Sequence, residues 1–151
     1  MVNLIEKLEE SVEAHKTLNG YNNIFLLGED LIAKRCSDKS ILVNEYKIAK
    51  YLYRHGIAVP KTYGLIKERF KPEQYGLIRT FYLIMERIPG EEIGNLIGEN
   101  RTEAYKQLKE EIGKVLKLGI SPTDSLSETN SIFNPKTRKL YLIDFGFWFW
   151  S

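Results

Sequence analysis

The chain has 151 residues, 43% of them hydrophobic and 28% charged, which is the size and composition of a single globular domain. Its formal net charge of +2 is too small to indicate a nucleic-acid-binding protein, since such proteins carry a strong basic excess. Cys36 is the single cysteine, which excludes an internal disulfide and a Cys-X-X-Cys redox pair. Because no long apolar run is present, the sequence predicts a soluble cytoplasmic protein without a membrane segment.

The first half of the chain predicts a strand-rich region with helices. Apolar residues at helical spacing predict an amphipathic helix over residues 2–15. A second helix is predicted over residues 41–55, with Ser40 as its N-cap and Gly56 as its terminator. Gly28-Glu29-Asp30 is typical of a hairpin turn. The segments that predict strands are residues 24–27, 31–36, 65–66, 76–78 and 81–85.

The second half of the chain predicts one helix and one small hairpin. Apolar residues keep the helical period from residue 102 to residue 118. Two short apolar segments, 131–133 and 140–143, flank Asn134-Pro135-Lys136-Thr137, which is typical of a hairpin loop. Five strands with an inserted helix, followed by a helix and a hairpin, indicate an α+β fold in two parts.

Glu45 is the first residue whose position suggests chemistry. It shares the apolar face of its predicted helix with Ile48 and Leu52. A buried carboxylate needs a cationic partner, because an unpaired buried charge is costly. Strand alternation places Lys34 inward and Arg35 outward, so Lys34 is the predicted partner. The alternative is that Glu45 lies at the rim of the helix with its carboxylate in water.

Asp144 and Asn130 form a second candidate pair. Asp144 follows an apolar strand and stands two residues before Gly146, which permits a sharp turn. Magnesium takes one or two carboxylates together with phosphate oxygens and water, and Asn130 offers an amide oxygen at the start of the paired strand. These residues predict a magnesium site, with the alternative that Asp144 caps a turn.

The order of these residues resembles the compact, atypical protein kinases, above all the small archaeal kinase of the KEOPS tRNA-modification complex and, more distantly, the RIO kinases. The most specific stretch runs from Glu45 to Val59-Pro60, which is similar to the helix and exit of that kinase. The resemblance covers residues 18–146 and implies a protein-kinase-like α+β fold. The implied single domain has an N-terminal helix, an antiparallel-sheet N-lobe with one inserted helix, and a minimal C-lobe, at residues 1–19, 20–88 and 89–151.

The resemblance implies a site for ATP and magnesium. In such a site Lys34 positions phosphates and Glu45 orients Lys34, while Asp144 and Asn130 bind the metal. Asp124 stands at the position of the catalytic aspartate. The remaining implied ATP contacts come from the nucleotide-covering loop, the lysine strand, the gatekeeper position and the hinge backbone: Gly20, Asn22, Asn23, Ile32, Met85, Glu86 and Ile88.

The match departs from the kinase pattern in the catalytic loop. Five residues separate Asp124 from Asn130, where four are usual, and Pro122 stands where histidine is customary. Either the loop carries an insertion, or Ser125 occupies the aspartate position and the site is degraded.

A second departure follows the Asp-Phe-Gly motif. After Gly146 only Phe147-Trp148-Phe149-Trp150-Ser151 remain, whereas a full kinase continues through an activation segment and several helices. Four consecutive large aromatic residues are expected to cover apolar surface or to mediate self-association.

Three functions stay open at this point. The first is a minimal ATP- and magnesium-dependent phosphotransferase or ATPase that acts on or within a protein complex, since such catalysis depends mostly on positioning and electrostatics. The second is a pseudokinase that binds nucleotide or protein without chemistry. The third is a small α+β scaffold in which the Lys34–Glu45 pair is structural and nothing binds. The expected partners are ATP and a protein or second copy of the chain, with no membrane and no direct nucleic-acid contact.

Overall fold

A computed structural model describes residues 4–14, 17–18, 21–69, 79–123 and 130–151. The chain divides into two compact units. The sheet unit comprises Met1–Tyr46 and Thr62–Arg87, and the hairpin unit comprises Lys47–Lys61 and Ile88–Ser151. The division into lobes at residues 20–88 and 89–151 stays a prediction.

In its described residues, the sheet unit is built on five antiparallel strands. These strands are β1 (Thr17–Leu18), β2 (Tyr21–Leu27), β3 (Leu31–Cys36), β4 (Thr62–Arg69) and β5 (Arg79–Glu86). Their order across the sheet is β1-β2-β3-β5-β4. The turn between β2 and β3 places Gly28 at a φ of 77°, a conformation that favours glycine. An antiparallel sheet with an inserted helix was predicted and is confirmed, although β1 was not predicted and the strand expected at residues 76–78 lies outside the described residues.

Two helices, α1 (Leu4–Glu13) and α2 (Lys39–Arg54), pack against alternating sets of strand residues. Leu8 of α1 is buried with Phe25 and Ala33 in one apolar cluster. Leu42 of α2 is buried with Leu83 in a separate apolar cluster. Because neighbouring residues of a strand point to opposite faces, these two clusters lie on the two faces of the sheet. The cluster that contains Leu42 and Leu83 lies on the same face of the sheet as Lys34.

Helix α2 begins at Lys39, and its cap is Asp38 rather than the predicted Ser40. Asp38 Oδ1 accepts hydrogen bonds from Ser40 N at 2.9 Å and from Ser40 Oγ at 2.6 Å. A carboxylate just before a helix reaches the unpaired N–H groups of its first turn, which explains the earlier start. The bonds donated by Ser40 hold the pKa of Asp38 below its usual range. The predicted end is confirmed, since Gly56 has a φ of 74°.

The hairpin unit combines a long helix with two short pairs of strands. Its elements are a 3₁₀ helix (Ile93–Asn95), α3 (Gly98–Lys117), β6 (Ile120–Ser121), β7 (Ser131–Asn134), β8 (Lys139–Leu142) and β9 (Phe149–Trp150). The predicted hairpin is confirmed as the antiparallel pair β7 and β8, and β6 pairs with β9. Helix α3 begins four residues earlier than predicted. No helix in the described part of the chain is long and apolar enough to cross a bilayer.

Gln107 attaches the β7–β8 hairpin to α3. Its Oε1 accepts a hydrogen bond from Leu140 N at 2.8 Å, and its Nε2 donates one to Arg138 O at 2.7 Å. One side-chain amide therefore bonds the backbone of the hairpin as a neighbouring strand would. Leu108, Leu140 and other apolar residues of α3 and the hairpin are buried in the core of this unit.

Candidate functional site

Lys34 and Glu45 form the ion pair that the sequence predicts. Lys34 Nζ lies 2.9 Å from Glu45 Oε1, and the side chains are 17% and 1% exposed. The alternative in which Glu45 holds its carboxylate in water is therefore wrong. Arg35 points away from this pair, with its guanidinium 4.8 Å from the centre of the Phe25 ring. Strand alternation thus places Lys34 beside Glu45 on one face of the sheet and Arg35 beside Phe25 on the other.

An apolar cluster adjoins the ion pair on the same face of the sheet. Ile32 of β3 pairs with Met85 of β5, and Lys34, two residues after Ile32, lies on the same face of the sheet. Met85 is buried with Leu42 of α2, and Ile32 packs against them. The structure therefore brings together four of the predicted site residues on one face. Apolar neighbours exclude water and so strengthen the attraction between the charges.

The two predicted hinge residues, Glu86 and Ile88, belong to different units of the chain. Glu86 is the last residue of β5, and the following N–H, of Arg87, donates to Asp30 O at 2.8 Å. Ile88 is the first residue of the second stretch of the hairpin unit. The adenine contacts of Glu86 and Ile88 stay a prediction.

The predicted nucleotide-covering loop is largely a strand. β2 begins at Tyr21, three residues before the predicted strand, because β1 pairs with it. Asn23 is exposed on β2. Asn22 belongs to β2, while its side chain and the whole of Gly20 lie outside the described residues.

Asn130 and Asp144 lie at the open end of the β7–β8 hairpin. Ile143 N donates a hydrogen bond to Asn130 O at 3.0 Å, which continues the register in which Ser131 pairs with Leu142. Asp144 is exposed and has a φ of 64°. The hairpin brings the backbones of Ile143 and Asn130 into contact, and the meeting of the Asn130 and Asp144 side chains stays a prediction. A carboxylate and an amide are oxygen donors that suit magnesium, so this pair fits the metal, and its binding stays a prediction.

Asp124 lies outside the described residues, but the residue before it is held by a contact that the sequence did not predict. The indole Nε1 of Trp148 donates a hydrogen bond to Thr123 O at 3.0 Å. Trp148 is 1% exposed, whereas Phe147, Phe149 and Trp150 are 72%, 53% and 49% exposed. The expected burial of the aromatic run therefore applies to Trp148. No signal in the aromatic run separates Trp148 from its neighbours, because Trp148 precedes β9 and both residues of β9 are exposed.

Comparison with known proteins shows similarity in fold. No protein-family model and no characterised protein sequence matches the chain. Among solved structures, the kinase PK-1 of Cydia pomonella granulovirus is similar, with a TM-score of 0.60 and 15% sequence identity. The similarity covers 97% of this chain and 56% of the viral kinase, so this chain spans little more than half the length of that protein.

The chain therefore has a kinase-like fold, with mixed α and β structure and an antiparallel sheet. A likeness at 15% identity shows the fold alone. The function has to be argued from the side chains.

Proposed function

We propose that this chain is a minimal ATP- and magnesium-dependent phosphotransferase or ATPase that acts on or within a protein complex. The observation that carries the proposal is the Lys34–Glu45 ion pair, 2.9 Å long, on the sheet of a kinase-like fold. A glutamate that is 1% exposed on a helix and a lysine on the adjoining sheet match in chemistry the pair that kinases use to position phosphates, which supports the proposal.

In this proposal Lys34 binds the α and β phosphates, and Glu45 holds the lysine side chain in place. Bound ATP and magnesium supply the transferable phosphoryl group and the cationic charge that offsets its negative charge. The side chain of Lys34 is 17% exposed, which leaves it accessible to an anion while Glu45 fixes its position. Positioning and electrostatics of this kind account for most of the rate in phosphoryl transfer.

The other roles follow from the chemistry of each residue. Asp144 and Asn130 hold the metal through oxygen atoms. Asp124 orients the attacking hydroxyl and accepts its proton. The nucleotide contacts are assigned to the covering segment, the lysine strand, the gatekeeper and the hinge: Gly20, Asn22, Asn23, Ile32, Met85, Glu86 and Ile88.

We propose that this chain is related to the KEOPS kinase and, more distantly, to the RIO kinases. The support is the segment from Glu45 to Val59-Pro60, which is similar to the helix and exit of the KEOPS kinase. A protein partner, or a second copy of this chain, is proposed to bind through Phe147 and Phe149. Their exposure of 72% and 53% supports this role, because large exposed aromatic side chains favour binding to another surface.

The proposal is tested by measuring ATP binding with and without magnesium, by calorimetry and by thermal shift. A ligand that binds the native state raises the melting temperature. Asp144→Ala is expected to abolish the magnesium-dependent part of binding, whereas Glu110→Gln, at an exposed acid of α3, leaves it unchanged. Absence of binding by the unaltered protein at millimolar Mg-ATP would leave the scaffold as the better description.

A pseudokinase is the second candidate, and a specific observation favours it. Asp124 and Asn130 are separated by one residue more than in kinases, and Pro122 replaces the customary histidine. Asp124→Ala separates the two functions, since loss of a general base lowers turnover by about 10²–10⁴-fold and spares nucleotide binding. Binding of Mg-ATP without any turnover, unchanged in Asp124→Ala, identifies the pseudokinase.

A further inference from the structure

Trp148 differs from the three aromatic residues beside it. It is 1% exposed, packs in the core of the hairpin unit and makes a side-chain hydrogen bond. An aromatic residue that only fills a core needs no polar partner, whereas a buried indole N–H is costly unless it finds an acceptor. The acceptor is the backbone carbonyl of Thr123, the residue before the proposed catalytic Asp124.

Three contacts join Trp148 to its surroundings. Its indole N–H donates to Thr123 O at 3.0 Å. Its ring meets Phe145 edge to face, with ring centres 4.7 Å apart and planes at 66°. Its backbone N–H donates to Phe145 O at 3.1 Å. Phe145, the residue after the proposed metal ligand Asp144, is therefore fixed by both its ring and its carbonyl.

The segment that receives the indole bond is itself held. Ile120 and Ser121 pair with Trp150 and Phe149, and Ser151 N donates to Gly119 O at 2.8 Å. Thr123 lies two residues after Ser121, the last residue of this pair. The hydrogen bond from Trp148 therefore connects the segment of Phe145 to backbone close to a paired stretch.

Asp144 lies between two anchors. On its N-terminal side Ile143 N donates to Asn130 O at 3.0 Å, and on its C-terminal side Phe145 contacts Trp148. Asp144 has a φ of 64°, a left-handed conformation that few non-glycine residues adopt and that persists only where the surrounding structure imposes it. The anchors supply that constraint.

We propose that Trp148 is a positioning residue for the metal site: it holds Phe145, and thereby sets the backbone conformation in which Asp144 presents its carboxylate. The proposal rests on the proposed function for the identity of the ligand, a divalent cation with nucleotide phosphate. A ligand group held in its binding conformation loses less conformational entropy on binding, so a positioned Asp144 binds the cation more tightly.

Two matched variants test the proposal. Trp148→Phe keeps an aromatic ring and removes the indole N–H, and Trp150→Phe makes the same chemical change at a half-exposed position. Mg²⁺ is titrated at fixed ATP, and the half-saturating concentration is measured by calorimetry together with the metal-free affinity for ATP. We expect Trp148→Phe to raise the half-saturating concentration about 3- to 10-fold, the effect of one lost hydrogen bond, with metal-free binding unchanged. Trp150→Phe is expected to match the unaltered protein.

A second readout needs neither ATP nor metal. Hydrogen exchange of the backbone amides of Ile143 and residue 148 reports the bonds on the two sides of Asp144. We expect Trp148→Phe to accelerate both exchanges several-fold, and Phe145→Leu, which removes the ring contact, to do the same. Trp150→Phe leaves them unchanged.

The possible failures are distinguishable. If the unaltered protein binds Mg-ATP and Trp148→Phe has the same half-saturating Mg²⁺ concentration as Trp150→Phe, positioning by Trp148 is overturned while the proposed function stands. If the unaltered protein shows no magnesium-dependent binding, the proposed function fails, and equal exchange in both tryptophan variants then overturns the constraint on Asp144 as well. A lower melting temperature without a change in metal dependence or exchange identifies a purely structural tryptophan.

Discussion

In the sheet unit, Lys34 and Glu45 come from different elements and meet through their side chains, 2.9 Å apart. In the hairpin unit, Asn130 and Asp144 are brought together by the backbone bond from Ile143 N to Asn130 O, and their side chains extend from strand ends. A side-chain bond is removed by one substitution at either end. A backbone arrangement changes only when the residues that support it change, so the two units respond differently to mutation.

The largest expected effect lies in the sheet unit. Lys34→Met removes a cation beside a carboxylate that is 1% exposed, and we expect it to lower the free energy of unfolding by about 3–5 kcal/mol. The double variant Lys34→Met with Glu45→Met removes both charges and is expected to recover most of that loss. Urea denaturation measures both, and Lys47→Met, at an exposed position of α2, is the control.

Nucleotide binding is expected to respond differently from stability in these variants. The double variant restores stability but not Mg-ATP binding, since Lys34 is gone. A double variant that is as unstable as Lys34→Met alone contradicts the pairing argument, and one that binds nucleotide normally contradicts the role of Lys34.

The next largest effect tests the backbone of the hairpin unit. A Cβ on Gly90 would clash with the backbone carbonyl of Phe133, and the φ of 147° at Gly90 is one that residues with side chains rarely adopt. Because strained backbone and overpacking each cost about 1–3 kcal/mol, we expect Gly90→Ala to destabilise the protein by about 2–4 kcal/mol. Gly113, inside α3 with open space around it, is the control. There the same change is expected to stabilise by about 0.5–1 kcal/mol, and equal effects at both glycines in urea denaturation would refute the close approach.

A smaller loss is expected where Gln107 bonds the hairpin. Gln107→Leu leaves the N–H of the buried Leu140 without its acceptor, which costs about 1–3 kcal/mol. Lys106→Ala, at the exposed neighbouring position, is expected to change stability by less than about 0.5 kcal/mol. Exchange of the Leu140 amide provides the local measurement. If that amide exchanges equally fast in both variants, the bond does not hold the hairpin.

The smallest effect concerns the exposed cap of α2. The pKa of Asp38 is lowered in the folded protein by the bonds from Ser40, so its contribution to stability is present above the usual aspartate range and is lost as pH falls through the lowered pKa. We expect Asp38→Ala to lower the melting temperature at pH 7 and to approach the unaltered protein as pH falls through the lowered pKa of Asp38. Asp38→Asn caps without a charge and should keep its stability over this range. A gap between Asp38→Ala and the unaltered protein that is independent of pH would exclude the carboxylate as the cap.

Several features were predictable because they depend on neighbours in sequence. Helical periodicity placed Glu45 on a buried face, and strand alternation selected Lys34 over Arg35 as its partner. The hairpin that brings Asn130 near Ile143 followed from two apolar segments around a short polar loop. In each case a repeat of two or 3.6 residues carries the information.

Other features depended on segments far apart in the chain. β2 extends back to Tyr21, which pairs with Leu18 of β1, although Asn22 and Asn23 do not favour a strand. The residues from Phe147 to Trp150 form one aromatic run in the sequence, yet burial and the hydrogen bond to Thr123 O distinguish Trp148 from its neighbours in the structure.

The sequence by itself determined the ion pair, the end of α2 at Gly56 and the β7–β8 hairpin, since the spacing of apolar, charged and glycine residues specifies these local structures. The tertiary structure alone decided that Trp148 bonds Thr123 O and that Gly90 lies against Phe133. The physical reason is that backbone carbonyls are present at every residue, so no residue pattern identifies which carbonyl a distant donor or glycine will meet until the chain has packed.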